Sequence, residues 1–282
     1  MKIESLFDPQ TFTFSYIVWD EQSRDAIVID PILDLDMTWM KLSTHSISKI
    51  VEIINNLKLK VHFVIDTHPH ADHISGANHL AKIVDAKSAI GKNFSQVQKE
   101  FAEIFGTTVE LLKGSYDHHI DDGEKLVAGT LLIEAISTPG HTPACISLHV
   151  GDSVFVGDVL FQPALGTGRC DFPSGSAKDL YHSVFHKIYR LPDNTIVYTG
   201  HDYPLSDQLP KASFSLSESK NSNKLIRQET SEEEFIEIRS ARDQQLSPPK
   251  LLYFSLWANI HSGYPPPSPN GLVHFPIPVN AT

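Results

Sequence analysis

Cysteine is scarce in this chain. Of 282 residues only Cys145 and Cys170 carry a thiol, and no Cys-x-x-Cys pair exists, which fits a reducing cytoplasmic setting. Positive charge is also short: 23 Lys and Arg stand against 34 Asp and Glu, a net charge of -11. That argues against nucleic acid or an anionic membrane as main partner, since both need a basic surface, while a local basic patch for a small anion stays compatible. No apolar run approaches the ~20 residues of a membrane span. The start, Met-Lys-Ile-Glu-Ser-Leu-Phe-Asp, lacks an apolar core, so no signal peptide is expected. Nor is there an internal repeat. The length suits one large domain, or one domain with a small appendage.

What the chain does have is histidine in one place. Thr67-His68-Pro69-His70-Ala71-Asp72-His73 follows the apolar run of residues 61–66. Imidazole and carboxylate are the ligands of zinc, iron and manganese, and four such groups within six residues point to a metal site rather than a polar loop. Pro69 biases His68 toward an extended backbone, so His68 and His70 should share a side. Asp72 and His73 then fall where a helix begins, with Ser75 and Gly76 ahead of Leu80 and Ile83.

This His-x-His-x-Asp-His pattern after a strand resembles the signature of the metallo-β-lactamase superfamily. The resemblance implies further ligands downstream, in the order histidine, aspartate, histidine. His141 stands in the Pro- and Gly-punctuated loop Ser137-Thr138-Pro139-Gly140-His141-Thr142-Pro143 between two strands. Asp158 ends the strand at 153–156; alone it would read as a turn former, and the implied order makes it a ligand. His201 follows the strand at 195–199 in Gly200-His201-Asp202-Tyr203. The resemblance covers residues 10 to 203 and implies an α/β fold, the αββα sandwich with metals at one rim. A catalytic domain over 1–205 and an extension over 206–282 are expected.

Strands are expected at 12–19, 26–29, near 89–90, at 126–127, 131–137 and 146–150. Helices are expected at 46–58, from 76 to about 85, at 93–105, 177–191 and 231–246, the last capped by Ser231 ahead of Glu234. Residues 32–43 read as a loop; Asp34 and Asp36 lack the glycine and glutamate of a calcium site. His118 and His119 read as a solvated loop, and His182 and His186, at i and i+4, as surface or packing residues without further ligands. Cys145 reads as core and Cys170 as incidental. The apolar stretch 251–260 should pack on the core or on a second subunit, so a homodimer is one expectation. The Pro-rich end after Tyr264 reads as terminal packing.

Two chemistries follow from the resemblance. In the glyoxalase II branch, His68, His70 and His141 would hold one zinc, Asp72, His73 and His201 a second, and Asp158 would bridge them for thioester hydrolysis. In the persulfide dioxygenase branch, His68, His141 and Asp158 alone would hold one Fe(II), leaving positions for O2 and substrate sulfur. The remaining ligand-type residues, with Asp72 and His201 as catalytic groups, would then orient ligands and waters. Gly157-Asp158-Val159-Leu160-Phe161, Gly168-Arg169-Cys170-Asp171-Phe172 and the run from Gly175 to Val184 are similar to the dioxygenases. By that resemblance Arg169 and Tyr203 would bind glutathione, with Thr142 also on the substrate side. Arg169 could equally pair with Asp171, and Tyr203 could pack at the rim. The favoured expectation is a persulfide dioxygenase acting on a glutathione-derived substrate. A hydroxyacylglutathione hydrolase, or a non-enzymatic persulfide- or metal-responsive binding protein, are the alternatives.

Overall fold

A computed structural model describes residues 1–112, 114–264 and 271–278. In chain order its first half runs β1 (Lys2–Asp8), β2 (Thr13–Trp19), β3 (Asp25–Ile29), β4 (Ile32–Asp36), β5 (Lys41–Ser43), α1 (His45–Leu57), β6 (Lys60–Asp66), β7 (Ile74–Ser75), α2 (Ala77–Ile83), β8 (Lys87–Gly91), α3 (Phe94–Ile104) and β9 (His118–Ile120). The second half runs β10 (Lys125–Ala128), β11 (Leu131–Ser137), β12 (Ile146–Val150), β13 (Ser153–Phe155), α4 (Ala177–His186), β14 (Ile196–Tyr198), β15 (Ser213–Ser215), α5 (Leu216–Ser222), α6 (Glu232–Asp243) and α7 (Leu252–Ile260).

Two six-stranded sheets result, ordered β1-β2-β3-β6-β8-β9 and β10-β11-β12-β13-β14-β15. β2 shows why they face each other. All seven of its residues are buried, as in a strand covered on both faces. Phe14, Tyr16 and Val18 meet Ile133, Leu148 and Phe155 of the opposite sheet, while Ile17 and Trp19 point outward beneath α1 to α3. A third core packs α4 and α6 on the far face of the second sheet. The layering is αββα, a metallo-β-lactamase sandwich. Helix α1 illustrates the local logic: Ile47, Ile50 and Ile54 are its buried stripe, and Lys58, with φ 52°, closes it in the left-handed conformation.

Three stretches differ from the sequence reading. Residues 32–43 form the β4–β5 hairpin, and β4 pairs with the two-residue β7 inside the histidine loop. A pairing that depends on a distant dipeptide has no local signal. His118 and His119 begin β9, at the edge of the first sheet; His118 Nε2 meets Glu124 at 2.6 Å. Beyond residue 205 the described residues hold a strand and three helices, not one helix. Ser231 does cap α6, its Oγ accepting from the Glu234 amide at 3.1 Å. α7 is apolar nearly all round, so periodicity could not mark it, and it packs Leu256, Ala258 and Ile260 into the first core. The Pro-rich stretch 265–270 lies outside the described residues. Among those described, no helix is long and apolar enough to cross a membrane.

Candidate metal centre

The seven ligand-type residues follow the C-terminal ends of four strands: His68 to His73 after β6, His141 after β11, Asp158 after β13 and His201 after β14. Close backbone packing draws these ends together. Gly157 has φ 51°, and a Cβ there would strike Thr67; a Cβ on Gly200 would lie 2.6 Å from Asp158 Oδ1. The Gly200 amide donates to the Gly157 carbonyl at 2.9 Å, locking Asp158 and His201 side by side.

One ligand atom each from His68, His141 and Asp158 lies within 4.8 Å of the others, and the same holds for His70, Asp72 and His73. Asp158 Oδ2 faces His141 Nε2 at 3.6 Å and His68 Nε2 at 3.9 Å, while its Oδ1 faces His201 Nε2 at 3.4 Å. His201 Nε2 is also 3.5 Å from Asp72 Oδ2, so one histidine joins the two groups.

The hydrogen bonds on the far side of each ring explain its orientation. His141 Nδ1 donates to the Arg169 carbonyl at 2.7 Å and His201 Nδ1 to the Phe12 carbonyl at 3.0 Å. The Thr67 hydroxyl donates to Asp30 at 2.8 Å, so it accepts from His68 Nδ1 at 3.0 Å. His70 Nε2 is held by Asp30 Oδ1 at 3.1 Å. Outer partners of this kind fix the tautomer and turn the other nitrogen inward. Burial lowers the pKa of His68 and of His70, keeping both as neutral, ligating imidazoles. Burial works against ionisation of Asp72, yet His73 and His201 together hold its carboxyl well below the usual range.

These residues fit a metal ion. His68 Nε2, His70 Nδ1, His73 Nε2 and Asp158 Oδ1 are buried without a hydrogen-bond partner. Four orphaned lone-pair donors converging at one rim are costly unless a cation satisfies them.

Sequence reading missed the residues that support this loop. Asp30 accepts from the Thr67 amide at 2.7 Å as well as from its hydroxyl, and Asp66 accepts from Tyr116 and Ser75. Burial raises the pKa of both carboxyls, and Asp30 raises Asp66 further. Asp30 and Asp66 form a third cluster with His70, on the side of its ring opposite the orphaned nitrogen. Asn259 of α7 donates to the carbonyls of His70 (2.7 Å) and His73 (2.9 Å) and accepts from the Ser75 amide at 2.8 Å. An asparagine 186 residues from His73 gives no signal in sequence.

A cleft of about 1280 Å³ opens over the site. Tyr203 lines it, 49% exposed, its ring stacked on His201 at 5.7 Å. Arg169 lines it too, but its guanidinium forks onto Asp171 with two bonds of 2.6 Å and donates to the Ser247 carbonyl at 2.8 Å. Thr142 is placed elsewhere: it is fully buried and its hydroxyl lies 3.2 Å from Cys145 Sγ within its own loop. Burial pushes both thiols up, so neither is a thiolate. His182 pairs with Glu232 at 2.9 Å on the surface, and neither it nor His186 belongs to a ligand group among the described residues.

Comparison with known proteins bears on the same stretch. The Metallo-beta-lactamase superfamily model matches residues 8–201, from the end of β1 to His201, the last of the seven ligand-type residues. The chain belongs to this superfamily. Within it, the chain is 39% identical to Glyoxylase B2 of Dictyostelium discoideum, covering 99% of this chain and 97% of that protein. It is 30% identical to the mitochondrial persulfide dioxygenase ETHE1 of Homo sapiens, covering 94% and 90%. The crystal structure of ETHE1 from Myxococcus xanthus superposes with a TM-score of 0.76 at 31% identity, covering 94% of this chain and all of that one. Superfamily membership makes this a metal-binding enzyme fold; the reaction is a finer matter, because these relatives carry different names.

Proposed function

We propose that the chain is a mononuclear non-haem iron dioxygenase that oxidises glutathione persulfide, or a related low-molecular-weight persulfide, to sulfite and thiol. The observation that carries this reading is an asymmetry between the two ligand groups. In the first, His68 and His141 each have Nδ1 tied to protein and Nε2 turned toward Asp158 Oδ2. In the second, acid and imidazole are turned on each other: Asp72 Oδ2 meets His73 Nδ1 at 3.1 Å and accepts from the Thr13 hydroxyl at 3.0 Å. Two histidines and a carboxylate suit iron with open positions. The persulfide dioxygenase name of the human relative supports the same choice, and the Myxococcus structure shares its ETHE1 name.

The balanced reaction joins one persulfide, one O2 and one water to give one thiol, one sulfite and two protons. Fe(II) held by His68, His141 and Asp158 would supply the electron transfer to O2 that this oxidation needs. His201, its Nε2 3.5 Å from Asp72 Oδ2, would relay released protons away from the triad, and the ionised Asp72 would hold and stabilise it in that role. Tyr203 and Phe161, whose rings lie 5.7 and 6.0 Å from that of His201, would shield this proton path and flank the substrate. The Arg169 carbonyl would keep His141 from rotating, and Thr142 would hold the His141 loop.

One observation favours a second reading. His70 Nδ1 and His73 Nε2 are also orphaned, as a second metal would require, and a dinuclear zinc thioester hydrolase of glyoxalase II type would use them. Metal content after anaerobic purification from cells supplied with iron and zinc separates the two. One iron per chain, with oxygen uptake on glutathione persulfide that is lost in His141→Ala, is the expected result. Two zinc ions and oxygen-independent turnover of an acyl-glutathione would overturn it.

A further inference from the structure

Nearly every acid around the cleft is already engaged. Asp171 takes the Arg169 fork, and Asp243 binds Arg239 at 2.6 Å and accepts from the Cys170 amide at 2.9 Å. Across the cleft, Asp34 accepts from Ser46, Asp36 from the Thr38 and Trp39 amides, and Asp8 from Thr11. Asp72 and Asp158 face the histidines. Arg242, one residue before Asp243 on α6, lines the same cleft and is half-buried. Its guanidinium makes no hydrogen bond or ion pair among the described residues. Burial, then the charge of Arg239, lowers its pKa in spite of Asp243. A partly desolvated guanidinium that lines a cleft and is not spent on a protein carboxylate is a ready partner for an anion.

We propose that Arg242 reads the substrate's carboxylate: its planar fork takes the carboxylate end of a small thiol while the sulfur end reaches the histidines. This rests on the reading of the site as one for a thiol-derived substrate. It assigns the anion contact to α6, because Arg169 already spends its fork on Asp171. A fork on a carboxylate gives a charge-assisted, two-bond contact that a lysine cannot reproduce.

The test is calorimetric binding of glutathione and of glutathione diethyl ester to the anaerobic, metal-loaded protein. The native chain should bind the free acid about tenfold more tightly than the ester. R242M should bind both at the ester's affinity, and R242K, which keeps the charge without the fork, should retain about threefold discrimination. Equal binding by the native chain, or full discrimination in either variant, would overturn the assignment. Oxygen uptake on glutathione persulfide, measured on the same samples, reads the reaction separately. Discrimination without uptake keeps the role of Arg242 and discards the dioxygenase; uptake without discrimination does the reverse.

Discussion

The two halves of the metal centre are held by two different devices, both from the C-terminal part of the chain. The loop carrying His68 to His73 is held by Asn259, a neutral amide that makes three bonds to backbone. The segment whose Arg169 carbonyl orients His141 is held by an ion pair, Arg239 with Asp243, which reaches the Thr167 carbonyl and the Cys170 amide. Arg239 is 1% exposed. The neutral clamp carries little desolvation cost; the charged one must recover the cost of taking two ions out of water. The charged clamp should therefore fail harder when one partner is removed, and be easier to replace when both are changed.

Where the halves meet, the effect should be largest. Asp158→Ala removes the carboxylate that faces His68, His141 and His201, so bound metal should vanish by elemental analysis. Activity should fall by more than the roughly 10- to 100-fold typical of an outer-shell change. Next comes the charged clamp. Arg239→Met leaves Asp243 buried and unpaired, and denaturant unfolding should show a loss of about 3–5 kcal/mol. Arg239→Met with Asp243→Asn keeps an acceptor for the Cys170 amide and should recover more than half of that loss. No recovery would erase the distinction between the two clamps.

A smaller loss is expected from Asn259→Ala. The Ser75 amide loses its acceptor, at about 2 kcal/mol, and metal affinity should drop about tenfold as the histidine loop loosens, read by chelator competition. The smallest effect lies away from both clamps. Asp25 accepts from the Thr130 amide at 3.0 Å and pairs with His62 at 2.7 Å, tying β3 to the β10–β11 turn. The His62 bond, then the Thr130 amide, lowers its pKa to about 2. A depressed carboxyl stabilises the fold above its unfolded value of about 3.9 and loses that contribution as pH falls through about 2. Asp25→Asn should cost on the order of 1 kcal/mol at neutral pH, and the gap from the native chain should close between pH about 4 and about 2. A gap that stays constant over that range would show that the charge contributes nothing.

The expected strands around the ligands were legible because alternation and turn residues are local. β2, β11 and β12 form where period-2 patterns end in Asp, Gly or Pro, and α1 forms where isoleucines recur at helical spacing. The β4–β5 hairpin was not, since β4 needs β7 as its partner. Nor was α7, whose apolar faces all find cover in the first core and beneath the histidine loop.

The sequence by itself determined which chemical groups could bind a metal and in what order they occur, because ligand type is a property of the side chain and each ligand follows a locally coded strand. It also determined the Ser231 cap and the amphipathic helices, whose causes lie within one or two turns. Only the tertiary structure decided which nitrogen of each imidazole faces the site, through carbonyls and carboxylates supplied by distant strands. It alone committed Arg169 to Asp171 while leaving Arg242 open to the cleft, because charge compensation is settled by whichever groups folding brings within reach.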